Sequence, residues 1–226
     1  MSALFSETKI QLKSDTLSDQ VYSYLLEGIV SMRIKPSTVM KEEDVAESLG
    51  VSRAPVREAL LHLEEVGFIT KSRKGRLVTP ITKEVIVENY RYLEMTESYG
   101  TALACQLATE EDLEIIRGHL KRLEECDVND YRKENEKYHR ALVAPCRVKK
   151  IIQAHNEARH LVNWTTNYTL CSKEKTDASM GRHRAVYDAY VARDKDLLIH
   201  LVQKNVRIVE EQLLSSYFSR QDELHR

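Results

Sequence analysis

Glycine, proline and aromatic residues are scarce in this sequence. Among 226 residues there are seven glycines and four prolines, and aromatic residues make up 7%. Together with 42% hydrophobic and 31% charged residues, this composition favours long, ordinary helices and few strands. The length exceeds that of one typical domain but is short for three, so we expect two domains.

Long apolar runs and paired cysteines are also lacking. No stretch of about 18 apolar residues occurs, and the first residues do not have the basic-then-apolar layout of a secretory signal. We therefore expect a cytoplasmic protein that has no membrane segment. The cysteines are widely spaced and form no CxxC pair, which favours reduced core thiols over a zinc or redox motif. They are Cys105, Cys126, Cys146 and Cys171.

The net charge of −1 does not indicate a nucleic-acid partner, but positive charge is concentrated locally. The segment 51–83 contains seven basic and three acidic side chains, and seven minus three leaves +4. A local excess of this kind is compatible with DNA binding even when the whole chain is neutral. A solvated surface is the alternative interpretation.

Hydrophobic spacing predicts three helices and a hairpin in the first third of the chain. The first helix follows an apolar repeat from Leu17 to Ile29, and residues 40–44 open a second helix that ends near Gly50. Ser52 is a suitable N-cap for a third helix, which runs to about Gly67. Two short strands, 68–70 and 77–79, flank a polar segment at 71–76. This order is typical of a helix-turn-helix followed by a wing.

The rest of the chain reads as successive helices. They are predicted at 83–106, 109–125, 129–144, 147–170, 173–192 and 194–219. We therefore predict a mainly α fold, with a winged helix-turn-helix followed by an all-α bundle of six or seven helices. The predicted boundaries are a flexible arm at 1–14, a DNA-binding domain at 15–80 and an effector-binding and dimerisation domain at 81–220.

The start of the third helix has the residues that a recognition helix needs. Arg53 and Arg57 are one helical turn apart and project from one face, where an arginine can fork to two acceptors of a guanine. Ser52 and the first backbone amides suit a phosphate oxygen. Pro55 lies in the first turn, where a missing amide proton costs little.

The tip of the wing carries three cations around a glycine. Glycine allows a tight reversal, and cations beside it suit phosphates or a minor groove. The residues are Arg73, Lys74, Gly75 and Arg76.

Two long segments carry a family resemblance. Residues 42–60, EEDVAESLGVSRAPVREAL, and residues 65–69, EVGFI, resemble the winged helix of the GntR family. The resemblance implies that Arg53 and Arg57 contact bases or backbone, that Ala54 and Pro55 approach the DNA, and that Lys74 and Gly75 form the wing tip.

The second part of the chain resembles the FCD branch of that family. The resemblance is carried by RYLE at 91–94, by the Tyr138-His139 pair and by HRAVYDA at 183–189. It implies a helical bundle that encloses an effector. Many members also bind a divalent metal (Zn, Ni or Mn), which imidazole and carboxylate ligands suit. The four ligand positions correspond here to Asn135, His139, His183 and Asn205.

Two of those four positions hold asparagine, a weak substitute for carboxylate or imidazole. Three interpretations stay open. His139 and His183 could still bind a metal, all four residues could hydrogen-bond an effector directly, or the histidines could be ordinary core residues. Arg91 either clamps an effector carboxylate, as the resemblance implies, or pairs with Glu94.

Together these features predict a homodimeric transcription regulator, a repressor that binds double-stranded operator DNA under control of a small-molecule, carboxylated effector. An architectural DNA binder without a working pocket is one alternative, and a metal-assisted enzyme is another. The sequence has no candidate nucleophile, phosphate-binding loop or intact metal set, so we predict that the protein is not an enzyme.

Overall fold

The computed structural model describes residues 16–73, 75–167 and 173–224, without the side chains of 173–177 and 218–224. Within those ranges there are nine α-helices and one three-stranded sheet. The helices are α1 (Leu17–Val30), α2 (Glu42–Leu49), α3 (Arg53–Val66), α4 (Lys83–Leu107), α5 (Glu110–Glu125), α6 (Tyr131–Val143), α7 (Lys149–Asn167), α8 (Lys173–Val191) and α9 (Lys195–Leu224). The strands are β1 (Val39–Met40), β2 (Ile69–Ser72) and β3 (Gly75–Val78).

The predicted fold class, a winged helix-turn-helix followed by a helical bundle, is confirmed. The described residues divide into two compact units, one formed by 16–73, 75–82 and 163–167 and the other by 83–162 and 173–224. The predicted arm at 1–14 lies outside the described residues. None of the helices described is both long enough and apolar enough to span a membrane.

Local signals set the helix ends of the first unit. Thr16 caps α1 through a reciprocal pair of hydrogen bonds with Asp19, which satisfies amides that have no partner inside the helix. Gly50 and Gly67 end α2 and α3 at φ of 65° and 97°, in the left-handed region that glycine adopts at little cost. The glycine-bounded turn between α2 and α3 is the centre of the helix-turn-helix.

The wing is a hairpin extended by one short strand. Its strand order is β1-β3-β2, and both pairings are antiparallel. The prediction that Met40 opens the second helix is wrong, because Met40 pairs with Arg76 of β3. The helix begins two residues later, at Glu42, with Lys41 as its N-cap. A two-residue strand is too short to show the alternating pattern by which strands are recognised in sequence.

Each unit has its own apolar core. In the first unit, α1 packs on α3, and the buried side chains include Val21, Leu25, Ile29, Val56, Leu60, Leu63 and Phe68. In the second unit, α4 packs along α9 and α5 against α6. That core includes Ile116, Leu120, Tyr138, Leu142, Tyr190, Leu198 and Val202. The apolar stripes of the amphipathic helices supply both cores.

Candidate functional site

The first turn of α3 is open to solvent. Ser52, Arg53 and Ala54 are exposed and Pro55 is half-buried, whereas Val56 is fully buried and anchors the helix. In the described chain the Ser52 side chain makes no capping hydrogen bond. The hydroxyl and the first amides of α3 are therefore presented at the surface, where a phosphate oxygen can reach them.

Carboxylates of α2 hold the two arginines of α3. Arg53 Nη1 lies 2.8 Å from Glu43 Oε1, and Arg57 Nε donates to Glu42 Oε2 at 3.1 Å. The arginine side chains remain 56% and 60% exposed. The Arg53–Glu43 pair is exposed on both sides, and such pairs are weak, so Arg53 can exchange its glutamate for DNA at little cost.

Arg76 has a different environment from the other predicted wing-tip residues. Its side chain is only 17% exposed, and it donates from Nη1 to Glu42 Oε1 at 2.8 Å and from Nε to Glu64 Oε2 at 3.2 Å. These contacts tie β3 to α2 and α3. Both of these contacts lie inside the module, and they hold Arg76 between the wing and the two helices.

Arg73 and Gly75 lie at the exposed end of the hairpin, and Lys74 between them lies outside the described residues. Gly75 has φ of 126°, and a Cβ there would lie 3.3 Å from the carbonyl oxygen of Met40. The positive φ favours glycine at this position, and the nearby carbonyl oxygen leaves little room for a Cβ. The turn thereby leaves Arg73 at the surface.

In the second unit, Glu97 of α4 is almost completely buried and sits among basic side chains of α6 and α7. His139 Nδ1 donates to Glu97 Oε1 at 2.7 Å, His155 Nε2 donates to Oε2 at 3.1 Å, and Arg159 Nη1 lies 3.6 Å from Oε2. Burial alone would raise the pKa of Glu97, but His139, the hydrogen bond from His155 and the charge of Arg159 outweigh it and hold the pKa well below its usual range. Glu97 is therefore ionised.

His139 and His183 face each other across α6 and α8. Their Nε2 atoms are 3.2 Å apart, and Tyr138 donates its hydroxyl to the carbonyl of His183 at 2.9 Å. Burial lowers the pKa of both imidazoles, and for His183 the lowering is large because His139 and Arg159 add to it. Both rings are therefore neutral near pH 7.

Neutrality fixes the proton positions. His139 carries its proton on Nδ1, which donates to Glu97, so its Nε2 accepts from His183 Nε2. His183 Nδ1 is then a bare acceptor. Neither this nitrogen nor Asn135 Oδ1 has a hydrogen-bond partner among the described residues, and buried polar atoms normally have one.

Asn135 and Asn205 determine whether the divalent metal implied by the family resemblance can bind here. Asn205 Oδ1 accepts from Arg182 Nε at 2.8 Å, which puts a cation where a metal would need an electron donor. Asn135 offers only a neutral amide oxygen. Among the described residues no group of three or more His, Cys, Asp or Glu is arranged to hold a metal ion. These residues therefore do not fit a tight divalent-metal site.

Arg91 is 57% exposed and bonds to two glutamates. Its Nη1 donates to Glu94 Oε2 at 2.9 Å, and its Nη2 lies 3.8 Å from Glu210 Oε1. Arg207 completes this cluster by donating to Glu94 Oε1 at 2.6 Å. Of the two interpretations of Arg91, the ion pair is the one that describes its contacts.

Sequence reasoning missed Glu97, His155 and Arg159. The available signal was an acidic residue within a helix face that is otherwise apolar or small, since Leu93, Thr101 and Ala104 of α4 are buried as well. His155 and Arg159 are one turn apart, so they share a face of α7. Only the packing of α4 against its neighbours brings the three side chains together.

A winged helix-turn-helix with exposed arginines, joined to a helical domain with a buried polar cluster, defines a DNA-binding transcription regulator. Residues 17–78 match the family described as bacterial regulatory proteins, gntR family, and residues 88–207 match the FCD domain. The chain belongs to the GntR family, in the branch that carries an FCD domain. It is a transcription regulator and not an enzyme.

Related sequences and a solved structure agree with this family assignment. The chain is 27% identical over 186 residues to the uncharacterised HTH-type transcriptional regulator YdhC of Bacillus subtilis, covering 78% of this chain and 82% of that protein. It is 24% identical over 204 residues to a probable D-xylose utilization operon transcriptional repressor of Paenarthrobacter nicotinovorans, covering 88% and 89%. The structure of Escherichia coli McbR/YncC has a TM-score of 0.73 at 21% identity and covers 90% of this chain and 99% of that one. This last match concerns the fold alone.

Proposed function

We propose that this regulator is a repressor that binds operator DNA through the exposed start of α3 and the wing. The observation that carries the proposal is the pair Arg53 and Arg57, both more than half exposed and both steadied by carboxylates of α2. An arginine so placed can fork to O6 and N7 of a guanine in the major groove. The proposed contact set is Ser52, Arg53, Ala54, Pro55, Arg57, Arg73, Lys74 and Gly75.

The two kinds of contact have different roles. Arg53 and Arg57 read base edges, whereas Ser52 and the amides of the first turn bind phosphate and fix the register of the helix. Arg73 and the wing tip add phosphate contacts that carry no sequence information but make binding depend on salt.

We further propose that the protein acts in the cytoplasm as a homodimer on a near-palindromic operator. Two-fold symmetry in the protein imposes two matching half-sites on the DNA. The helices of the second unit form the dimer contact in this proposal. A bound effector shifts the spacing of the two DNA-binding units through residues 80–83, and it does so only by its differential affinity for the two arrangements.

The proposed effector site is the cluster around His139 and His183, with Asn135 and Asn205 at its edge. Since His183 Nδ1 and Asn135 Oδ1 are acceptors without partners among the described residues, the effector brings hydrogen-bond donors to them. The proposal includes no resident metal, because Arg182 Nε donates a hydrogen bond to Asn205 Oδ1, the oxygen that would have to bind it. A carboxylate is left out as well, because the expectation rested on Arg91, which is exposed and paired.

Names of relatives support repression. Besides the D-xylose utilization operon repressor, a gluconate operon transcriptional repressor of Bacillus licheniformis is 24% identical over 208 residues, covering 85% of this chain and 83% of that protein. Both are named as repressors of operons for a sugar or sugar acid. For this chain we propose repression on that basis and do not propose a particular effector compound.

The experiment is selection of DNA from a random pool by the full-length protein, followed by anisotropy titration of the selected duplex. We expect an inverted repeat and a complex with two chains per duplex. As a matched control, Arg117→Ala removes an exposed arginine of α5 that pairs with Glu114 and should not change the binding. Selection of no common motif would overturn the proposal.

A further inference from the structure

The donors around Glu97 have the arrangement of a carboxylate-binding site. Three basic groups, on His139, His155 and Arg159, converge from α6 and α7 on the two oxygens of one carboxyl group. Each of the three side chains is at least nine-tenths buried. Such a set would hold any small carboxylate that could enter it, yet the carboxylate present belongs to the chain.

Carboxylates and guanidinium groups lie next to one another around this site. Glu97 and Glu136 carry two negative charges, and Arg159 and Arg140 carry two positive charges. Arg140 binds Glu136 through Nε at 2.9 Å, and Arg159 acts on both carboxylates. An additional anion would meet a carboxylate already in place, and like charges in a buried site repel strongly.

We propose that Glu97 is a built-in carboxylate that fills an anion site formed by His139, His155 and Arg159, and so prevents an acidic effector from binding there. Glu97 thereby determines specificity, because it selects the charge of the effector. This consequence rests on the proposed function, in which the neighbouring His183 Nδ1 and Asn135 Oδ1 receive the effector. The filled anion site itself does not depend on it.

The proposal can be tested chemically, because a small carboxylate has the same size as the part of the Glu97 side chain that an alanine substitution removes. Glu97→Ala removes Cγ, Cδ and two oxygens, and acetate has the same four heavy atoms in the same order. Acetate should therefore occupy the vacated space and meet the three donors. Propionate has one carbon more and should fit less well.

The experiment measures the Tm of full-length protein in sodium acetate against sodium chloride of equal ionic strength. Acetate should raise the Tm of Glu97→Ala with the logarithmic concentration dependence of binding to one site, by about 3–6 °C at a tenfold excess over its dissociation constant. Native protein should show no such rise relative to chloride. Acetate should also stabilise the variant more than propionate does.

Two further variants control the result. Glu94→Ala removes another buried carboxylate of α4, one whose partners Arg91 and Arg207 are more than half exposed. No rescue by acetate relative to chloride is expected for it. Glu97→Gln fills the space with an amide, so it should fold and should not respond to acetate.

Equal responses of native protein and Glu97→Ala, or none in either, would overturn the proposal. So would a Glu97→Ala chain that stays unfolded with acetate while Glu97→Gln folds, because the donors would then form no separate site. Operator affinity, measured on the same samples, separates this result from the proposed function. Loss of rescue with intact DNA binding refutes the filled anion site alone.

Discussion

At the scale of single residues, the contacts of Arg57 bear on its proposed role in reading DNA. Its guanidinium shares Glu42 with Arg76, so one carboxylate holds a residue of α3 and a residue of the wing. Arg57 remains 60% exposed and keeps donors free for a base. We infer that Glu42 limits the rotamers of Arg57 before DNA arrives, which reduces the entropy lost on binding.

Replacing Arg57 by alanine should therefore weaken binding to the selected operator by roughly 1–3 kcal/mol. The change should fall mainly on sequence-specific affinity, since phosphate contacts elsewhere remain. Anisotropy titrations of operator and scrambled duplexes at one fixed salt concentration measure both affinities. Equal losses on the two duplexes would identify Arg57 as a phosphate contact, and unchanged binding would remove it from the interface.

His183 makes a second prediction at this scale, on pH. Its pKa in the folded chain is well below the usual value, whereas in the unfolded chain it is about 6.5. Between these two pKa values the unfolded state binds more protons than the folded state. The contribution of neutral His183 to the free energy of unfolding is therefore fully present above about pH 6.5 and is lost as the pH falls from there toward the folded-state pKa.

Denaturant unfolding from pH 8 down to pH 5 should show this loss, and His183→Gln should have a smaller pH slope than the native chain. His200→Gln is the matched control, because His200 is exposed on α9 and its replacement should leave the slope unchanged. Equal slopes for the native chain and His183→Gln would contradict the prediction.

Residues also mark the limit of prediction from sequence. Arg53 and Arg57 could be singled out because the signals around them are local: a serine before the helix, a glycine that ends the preceding helix and a spacing of four. Arg76 could not be separated from Arg73 in the same way, because its partners Glu42 and Glu64 come from two other elements. Glu97 depends even more on tertiary packing, since its three basic partners lie on α6 and α7.

At the scale of elements, we propose separate roles for Arg73 and Arg76, the two arginines of the wing hairpin. Arg76 joins β3 to α2 and α3, whereas Arg73 stands at the exposed end. A matched pair of alanine substitutions separates anchoring from DNA contact.

Arg76→Ala should lower the free energy of unfolding by about 1–3 kcal/mol, because it leaves two largely buried carboxylates short of a cation. Arg73→Ala should leave stability unchanged and reduce the slope of log affinity against log salt by about one phosphate contact. Calorimetry and salt titrations measure the two effects. A normal Tm for Arg76→Ala would argue against its anchoring role.

At the scale of the whole molecule, we predict that the purified chain holds no tightly bound divalent metal. Elemental mass spectrometry of protein made without a histidine tag should find well below one zinc, nickel or manganese ion per chain, before and after incubation with each metal. The reason is the shortage of metal ligands: the oxygen of Asn205 already accepts a hydrogen bond from Arg182, and Asn135 offers only a neutral amide oxygen. His139→Ala is the control and should give the same low content. One ion per native chain, lost in that variant, would restore the metal site.

The proposed dimer predicts how operator geometry governs affinity. Two recognition helices related by a two-fold axis reach half-sites on one face of the duplex only when the half-sites are spaced by whole helical turns, about 10–10.5 base pairs each. Inserting five base pairs between the half-sites should turn one of them by half a turn and lower the affinity to that of a single half-site. Inserting ten should restore part of it, because the phase returns while the distance between the half-sites grows. Anisotropy titrations of the three duplexes, with chain stoichiometry from ultracentrifugation, measure this. Equal affinities for all three would mean that each DNA-binding unit acts alone, and a regulator of that kind could not be controlled by the spacing of its two subunits.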